Sequence, residues 1–325
     1  MVSIDGLKLH TPVIIAPMAG VTDYPYRQIL RDYGAELCFT EMVSSHGIVQ
    51  GNRRTEQLLE FSCQEGKIGV QLFGADPEIM ARAAALVEKN FKPDLIDINM
   101  CCPAPKVTKT GAGAALLQKP ELAVKIADSV NSSISLPLTV KMRKGWKKDE
   151  KTCLELGYKL QSAGIQAAAI HARSRQDFYE GRADWDIIAS AAEKLEIPVI
   201  GSGDVFSAGE ANDMLRETGC DAVMLARGIQ GNPWLVNRTR SLLEKGERVS
   251  KPGPKEKINQ AISHLERAIE YYGENKAVPL MRKHISWYLK GLPYCTKIKE
   301  KIYHLDRKEA VKKELKKYRN QLKRI

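Results

Sequence analysis

The sequence predicts an α/β protein, a (β/α)8 (TIM) barrel followed by a small all-α helical-bundle domain, and three observations predict it. Short β-branched apolar runs alternate with longer helical patterns through the first 245 residues. Eight such units fit in roughly 230 residues, the length of one barrel. The remaining residues lose all strand-like alternation and keep helical spacing.

The strand candidates, in order, are Val13–Pro17, Glu36–Thr40, Ile68–Phe73, Leu95–Asn99, Leu138–Met142, Ala168–His171, Pro198–Gly201 and Ala222–Ala226. Helix candidates between them include Asp23–Tyr33, Pro77–Asn90, Glu121–Asn131, Glu150–Ser162 and Ala208–Glu217. Gly34, Pro93, Pro137, Gly164, Pro198 and Gly219 punctuate the junctions. Strand–helix alternation implies parallel pairing through right-handed crossovers. A doubly wound open sheet is the rival, but Ala16-Pro17-Met18-Ala19-Gly20 is not the Gly-rich turn such a sheet carries after its first strand.

The second region is set off by Ser250-Lys251-Pro252-Gly253-Pro254-Lys255, whose prolines and glycine break helical continuity. The expected division is a barrel over 1–245, a linker over 246–256 and a helical domain over 257–325. Ile258, Ile262, Leu265 and Ile269 share one face, as do Met281, Ile285, Tyr288 and Leu289. Ile302, Leu305 and the stretch from Val311 to Leu322 complete about four helices.

Of 325 residues, 43% are hydrophobic and 27% charged, which excludes disordered, collagenous and disulfide-stapled chains. No apolar run approaches a bilayer's thickness, and no secretory signal is visible, so no segment is expected to span a membrane. The seven cysteines (Cys38, Cys63, Cys101, Cys102, Cys153, Cys220 and Cys295) show neither CxxC nor finger spacing. They read as free thiols of a cytoplasmic protein, with no metal site.

The net charge of +11 is unevenly placed. Residues 251–325 hold 20 Lys/Arg against 8 Asp/Glu, whereas the first 250 hold 30 against 31. A cationic block of domain size points to a polyanionic partner, nucleic acid or an acidic membrane face.

In a barrel, chemistry gathers at the carboxyl ends of the strands. Read to its end, the first strand offers Pro17-Met18, the third Gln71, and the fourth Asn99 and a Cys101-Cys102-Pro103 turn. The fifth offers Lys141, the sixth His171, the seventh Gly201-Ser202-Gly203-Asp204 and the eighth Ala226-Arg227-Gly228. Small residues after strands seven and eight let backbone N–H groups approach a phosphate, and Arg227 adds positive potential. A cation such as Lys141 is what the pyrimidine edge of an anionic reduced flavin needs, and Gln71 can donate and accept at the same edge. His171, alone a candidate for a satisfied core histidine, becomes a ligand contact beside a phosphate site.

A thiol is mostly protonated at neutral pH and can serve as a general acid. Spacing alone does not choose between Cys101 and Cys102.

Together these residues resemble the tRNA-dihydrouridine synthases over nearly the whole chain. The resemblance is carried by Ala16-Pro17-Met18-Ala19-Gly20-Val21-Thr22-Asp23, Glu41-Met42, Val70-Gln71-Leu72-Phe73-Gly74 and Asp97-Ile98-Asn99-Met100-Cys101-Cys102-Pro103. It continues through Lys141-Met142-Arg143, His171-Ala172-Arg173-Ser174-Arg175, Gly201-Ser202-Gly203-Asp204 and Ala226-Arg227-Gly228-Ile229-Gln230-Gly231-Asn232-Pro233-Trp234. Arg282-Lys283-His284-Ile285-Ser286-Trp287-Tyr288-Leu289-Lys290-Gly291 is similar to the bacterial B-type subfamily.

The resemblance implies an FMN enzyme that reduces uridines of tRNA with electrons from NADPH. It places Ala16, Pro17 and Met18 along the flavin and Gln71 and Lys141 at its pyrimidine edge. His171, Ser202, Gly203, Asp204, Ala226 and Arg227 are placed toward its ribityl phosphate end. It selects Cys102, directly before the proline, as the proton donor, and Asn99 as the residue orienting the uracil. Arg173, Arg175, Arg282, Lys283 and Lys290, with Lys297, are expected at the RNA; no obligatory protein partner is expected. Cys101 stands where the family usually has glycine, Ser202 where it has asparagine and Ala226 where it has glycine. Backbone donors survive the last two changes, so FMN binding is expected to persist. Two other classes were weighed: an FMN barrel acting on a free small molecule, and a flavin-free RNA-binding protein on a retired barrel. The first gives no account of the cationic appendage, and a yellow purified protein would exclude the second.

Overall fold

A computed structural model describes residues 2–62 and 65–322; Cys63 and residues 323–325 of the expected helical domain lie outside the described residues. Eight parallel strands close into a barrel: β1 (Val13–Ile15), β2 (Leu37–Phe39), β3 (Lys67–Phe73), β4 (Leu95–Met100), β5 (Leu138–Arg143), β6 (Ala167–His171), β7 (Val199–Ser202) and β8 (Ala222–Leu225). Closure runs from β8 to β1 and from β2 to β3, so no ladder edge remains in the ring. Each of the eight apolar runs read from the sequence became one of these strands.

Seven longer helices cover the ring: α1 (Tyr24–Asp32), α2 (Pro77–Phe91), α3 (Pro120–Asn131), α4 (Thr152–Ser162), α5 (Trp185–Lys194), α6 (Ala208–Thr218) and α7 (Trp234–Lys245). Their starts follow local chemistry. The side chains of Asp23, Asp76 and Ser207 accept N-terminal N–H groups of α1, α2 and α6, satisfying donors that the helices themselves cannot. Between β2 and β3 the described residues make a two-residue strand, Val43–Ser44, two short helices, Ser45–Val49 and Arg53–Glu56, and a 3-10 turn, Gln57–Leu59.

An N-terminal hairpin, Val2–Ile4 with Leu7–Leu9, was not anticipated. Its signal is Asp5-Gly6, the pair that two-residue hairpin turns favour, and both residues have positive φ. Val2, Ile4 and Leu9 plug the bottom of the barrel against Leu37, Leu95, Ala167, Ile200 and Ala222. Inward-facing residues alternate along each strand, so this apolar floor leaves the upper layer to polar groups.

Helices α8 (Pro254–Tyr272), α9 (Glu274–Tyr288), α10 (Cys295–Tyr303) and α11 (Lys308–Gln321) enclose a separate core of Ile258, Leu265, Met281, Ile285, Leu315 and Tyr318. The expected linker is three residues too long at its far end. Pro254 does not hold the chain out of a helix but begins α8, because proline's missing N–H costs nothing in a first turn.

The bundle is fastened to the barrel by aromatic packing. Tyr26 of α1 stacks on His264 with ring centroids 4.9 Å apart, and Trp234 of α7 meets Tyr288 edge-on at 6.3 Å. Tyr272 donates to Asp23 at 3.1 Å and Tyr33 to Gln260 at 3.0 Å. Gly231, with φ +63°, lets the loop after β8 touch α9, since a Cβ there would strike the backbone of Trp287 and Tyr288. No helix among the described residues is long and apolar enough to cross a membrane.

Candidate active site

Strand register sets the site. Asn99 of β4 lies level with Lys141 of β5, Arg143 with His171 of β6, and His171 with Ser202 of β7. Gln71 sits beside Asp97. Gln71, Asn99, Lys141, His171 and Ser202 are all at least 90% buried polar residues at the upper ends of their strands. Ala16 and Ala226 close the circle, and half-buried Met18 packs against the barrel's interior cluster. Pro17, beside it, is also half-buried.

A directed hydrogen-bond chain crosses three of these strands. Thr139 donates to Asp97 Oδ1 and Gln71 Nε2 to Asp97 Oδ2, each at 2.6 Å. Asn99 Nδ2 donates to Gln71 Oε1 at 2.6 Å. Asn99 Oδ1 in turn accepts the backbone N–H groups of Cys101 and Cys102, at 3.0 and 2.9 Å. A carboxylate only accepts, so Asp97 dictates which way both amides face. Burial lifts the Asp97 carboxyl to about 6.

The structure adds a role to two of the expected residues. Asn99, expected to orient the uracil, also fixes the turn that carries Cys102, its Oδ1 being engaged by two backbone N–H groups and its Nδ2 by Gln71. Gln71 likewise keeps one Nε2 hydrogen and one Oε1 lone pair for a ligand, the others being held by Asp97 and Asn99. Asp97 and Thr139 themselves were missed. Their signal was an acid and a hydroxyl at inward positions of otherwise apolar strands.

Cys102 is half-buried and free, and burial pushes its thiol above the ordinary range, so it stays protonated at neutral pH. Its carbonyl accepts the Ala114 N–H at 3.0 Å. Gly113, at φ +63°, makes that approach possible: a Cβ would lie 2.8 Å from the Cys102 oxygen. Cys101 is buried, with its sulfur 3.4 Å from Lys141 Nζ and its carbonyl accepting Arg143 Nε at 2.9 Å. The two thiols therefore differ in surroundings: Cys101 is buried against the interior cation, and Cys102 is half-buried.

Toward β6–β8 the charge is strongly positive. Burial, then Lys141, Arg143, Arg173 and Arg227, hold the His171 imidazole well below its ordinary value, hence neutral. His171, Ser202, Gly203, Ala226 and Arg227 line one cleft. Two deeply buried polar atoms there, His171 Nδ1 and Ser202 Oγ, have no partner among the described residues, and neither has Nη1 of Arg173 nearby. Leaving such groups unpaired is costly, so the cleft is built for an external acceptor, and a phosphate fits that donor set.

Asp204 lines the same cleft, and its carboxylate orients cations there. It pairs with Arg173 Nη2 at 2.7 Å and with Arg227 Nη2 at 3.4 Å, and it accepts the Ala183 N–H at 2.8 Å. Arg173, expected at the RNA, is only 2% exposed and further donates to the Glu180 and Gly181 carbonyls. It is a strut of the phosphate cleft. Tyr179, which sequence reading missed, lies between the Arg143 and Arg227 guanidinium groups, 5.3 and 4.8 Å from its ring centroid.

The other RNA candidates divide. Arg175 is half-buried and packs on Trp146 at 4.7 Å. Arg282 is half-buried on the bundle, over the Tyr303 ring and donating to the Leu305 carbonyl at 3.2 Å. Lys283 and Lys290 are exposed. Lys283 reaches the β1 loop, where its nitrogen would lie 2.7 Å from a Cβ at Gly20. Lys297 is exposed on α10.

Comparison with known proteins agrees with this arrangement. Residues 14–323 match the family model described as dihydrouridine synthase (Dus). The chain is 41% identical over 289 residues to tRNA-dihydrouridine synthase B of Pasteurella multocida, covering 89% of this chain and 87% of that protein. It is 36% identical over 316 residues to a probable tRNA-dihydrouridine synthase of Rickettsia conorii, covering 97% and 95%. Among solved structures, histamine dehydrogenase from Rhizobium sp. 4-9 shares the fold at a TM-score of 0.53 with 14% identity, over 79% of this chain and 49% of that one. A barrel whose strand ends carry this thiol turn, amide chain and cation-lined cleft, matched along nearly its full length, belongs to the dihydrouridine synthase family.

Proposed function

We propose that this protein reduces specific uridines of tRNA to 5,6-dihydrouridine, with FMN as cofactor and NADPH as reductant, in the cytoplasm. The observation that carries the reading is Cys102: a protonated thiol on the rim, its turn locked by Asn99, beside a cation-lined cleft with orphaned donors. The relatives' names supply the uridine and the tRNA; the cationic helical bundle supplies a surface for a polyanion.

The residues fit a flavin mononucleotide. His171, Ser202 and Arg227 would hold its phosphate, with Arg173 and Asp204 fixing Arg227. Lys141 and the free hydrogen of Gln71 would meet the pyrimidine edge of the ring. When bound, the flavin supplies the hydride that C6 of the uracil receives.

Cys102 delivers the proton to C5. The thiol is held in place because the enolate formed at C5 is short-lived, and a pre-positioned donor replaces a chance encounter with water. Asp97 and Asn99 are positioning residues, aligning the thiol turn and Gln71. The barrel mouth excludes water, and the uracil must leave its stack to enter. Lys283 and Lys290 grip backbone phosphates beside the mouth, with affinity falling as salt rises.

Incubating the purified protein with NADPH and unmodified tRNA, then measuring dihydrouridine by mass spectrometry, tests the reading. A yellow protein that forms dihydrouridine supports it; one that oxidises NADPH only with free pyrimidines overturns it.

A further inference from the structure

A second cleft, of about 510 Å3, opens where the β8 loop, the linker and the bundle meet. Five cations line it, Arg227, Arg238, Lys251, Lys257 and Lys290, and no carboxylate does. Arg238, Lys251, Lys257 and Lys290 have no ion-pair partner among the described residues. The linker is held to the cleft by Arg238, whose Nε donates to the Val249 carbonyl at 3.0 Å. Lys257 stands in the first turns of α8, where the helix dipole already disfavours a cation. Burial and the neighbouring Lys251 hold its ammonium below the ordinary lysine range.

We propose that this cleft binds the 2′-phosphoadenosine end of the dinucleotide reductant and so selects NADPH over NADH. The proposal rests on the activity proposed above and assigns it a determinant.

Three features favour this occupant over an RNA backbone. A phosphomonoester carries close to two charges where each phosphodiester carries one, and the unpaired Arg238, Lys251 and Lys257, converging on one cavity and not assigned to the RNA, suit the denser anion. The volume suits a nucleotide. The cavity also has an aromatic side: Phe206 is 48% exposed and Trp287 half-buried, giving an adenine ring a surface to pack on. Phe206, Arg227 and Gly228 line both this cleft and the phosphate cleft, so the dinucleotide would run from here toward the barrel mouth.

The test has two readouts. Calorimetric titration of the flavin-loaded protein compares adenosine 2′,5′-bisphosphate with 5′-AMP. Anaerobic stopped-flow bleaching of the flavin, without RNA, compares NADPH with NADH for wild type, Lys251→Gln/Lys257→Gln, and the milder Lys251→Ser. The bisphosphate should bind at least tenfold more tightly than 5′-AMP, and the double variant should lose that margin. Its apparent affinity for NADPH should fall about tenfold while that for NADH holds, with Lys251→Ser intermediate. An unchanged NADPH-to-NADH ratio overturns the proposal, as does a loss of tRNA affinity with that ratio intact. Failure of wild type to form dihydrouridine would refute the activity separately, because the bisphosphate titration reads the cleft alone.

Discussion

The amide oxygen of Asn99 accepts the backbone N–H of Cys102 at 2.9 Å, so the side chain of one strand-end residue sets the conformation of the turn bearing the proton donor. Asn99 gains its own orientation from Gln71 and, through it, from Asp97. Asn99→Asp keeps the acceptor but loses the donation to Gln71; Asn99→Ala loses both. Uridine reduction should fall more in the alanine variant, by roughly 10²–10³ in kcat, with flavin reduction by NADPH intact. Single-turnover assays of the two half-reactions measure this; equal losses in both halves would contradict it.

Removing the acid should separate the half-reactions more sharply. Cys102→Ala is expected to lose about 10²–10⁴ in dihydrouridine formation while NADPH still bleaches the flavin, and Cys101→Ala should retain most activity. The active thiol is protonated and burial raises its titration, so activity should persist above the ordinary thiol range before declining. A pH–rate profile for tRNA reduction reports that limb.

Asp97 should leave a signature in stability. Its folded carboxyl titrates near 6, above the unfolded value of 3.8, so its contribution is full below that lower value and is lost as pH rises toward 6. Asp23, also lifted to about 6 by burial, acts with the same sign. Asp97→Asn should therefore remove one falling contribution between pH 4 and 6.5, on the order of 1–3 kcal/mol, so that stability rises more steeply there under the opposite-signed effect of His171, His264 and His284, which burial keeps neutral. Denaturant midpoints across that range provide the check.

Flavin affinity should depend on the phosphate cleft unequally. Arg227→Ala removes a charged donor and should raise the FMN dissociation constant roughly 10- to 100-fold, whereas Ser202→Ala should raise it only a few fold. Arg173→Met would free Asp204 to face the phosphate and should be as damaging as Arg227→Ala. Fluorescence titration of the apoprotein distinguishes the three.

Gly231→Ala should loosen the bundle from the barrel, costing roughly 1–3 kcal/mol, because its positive φ and the α9 backbone leave no room for a Cβ. Gly246→Ala, equally left-handed but with nothing nearby, should cost about 1 kcal/mol. Thermal denaturation of the two variants separates the steric part from the backbone part.

The barrel was legible because each strand must bury both faces, and so reads as a short continuous apolar run, and must alternate with a covering helix, a demand met within ten or twenty residues of chain. Strand ends inherit their place from that rhythm, which is why Gln71, Asn99, Lys141, His171 and Ser202 could be assigned to one rim. Where the local signal was weak the reading missed elements: α5 and α7, and the two short helices that replace a longer one after β2.

Only the tertiary structure decided what each polar group touches. Arg173 and Arg282 look alike in sequence as cations near a nucleic-acid partner, yet one is buried and locked to Asp204, 31 residues away, and the other is half-buried and bonded to the Leu305 carbonyl. Asn99 and Gln71 also bond to each other, which the sequence does not announce. The cation-lined cleft joins the β8 loop, the linker and two helices of the bundle, so no local pattern announces it. Burial is dictated largely by a residue's immediate neighbours in sequence; the pairing of charges and hydrogen bonds depends on how distant segments cross, which the packed chain alone determines.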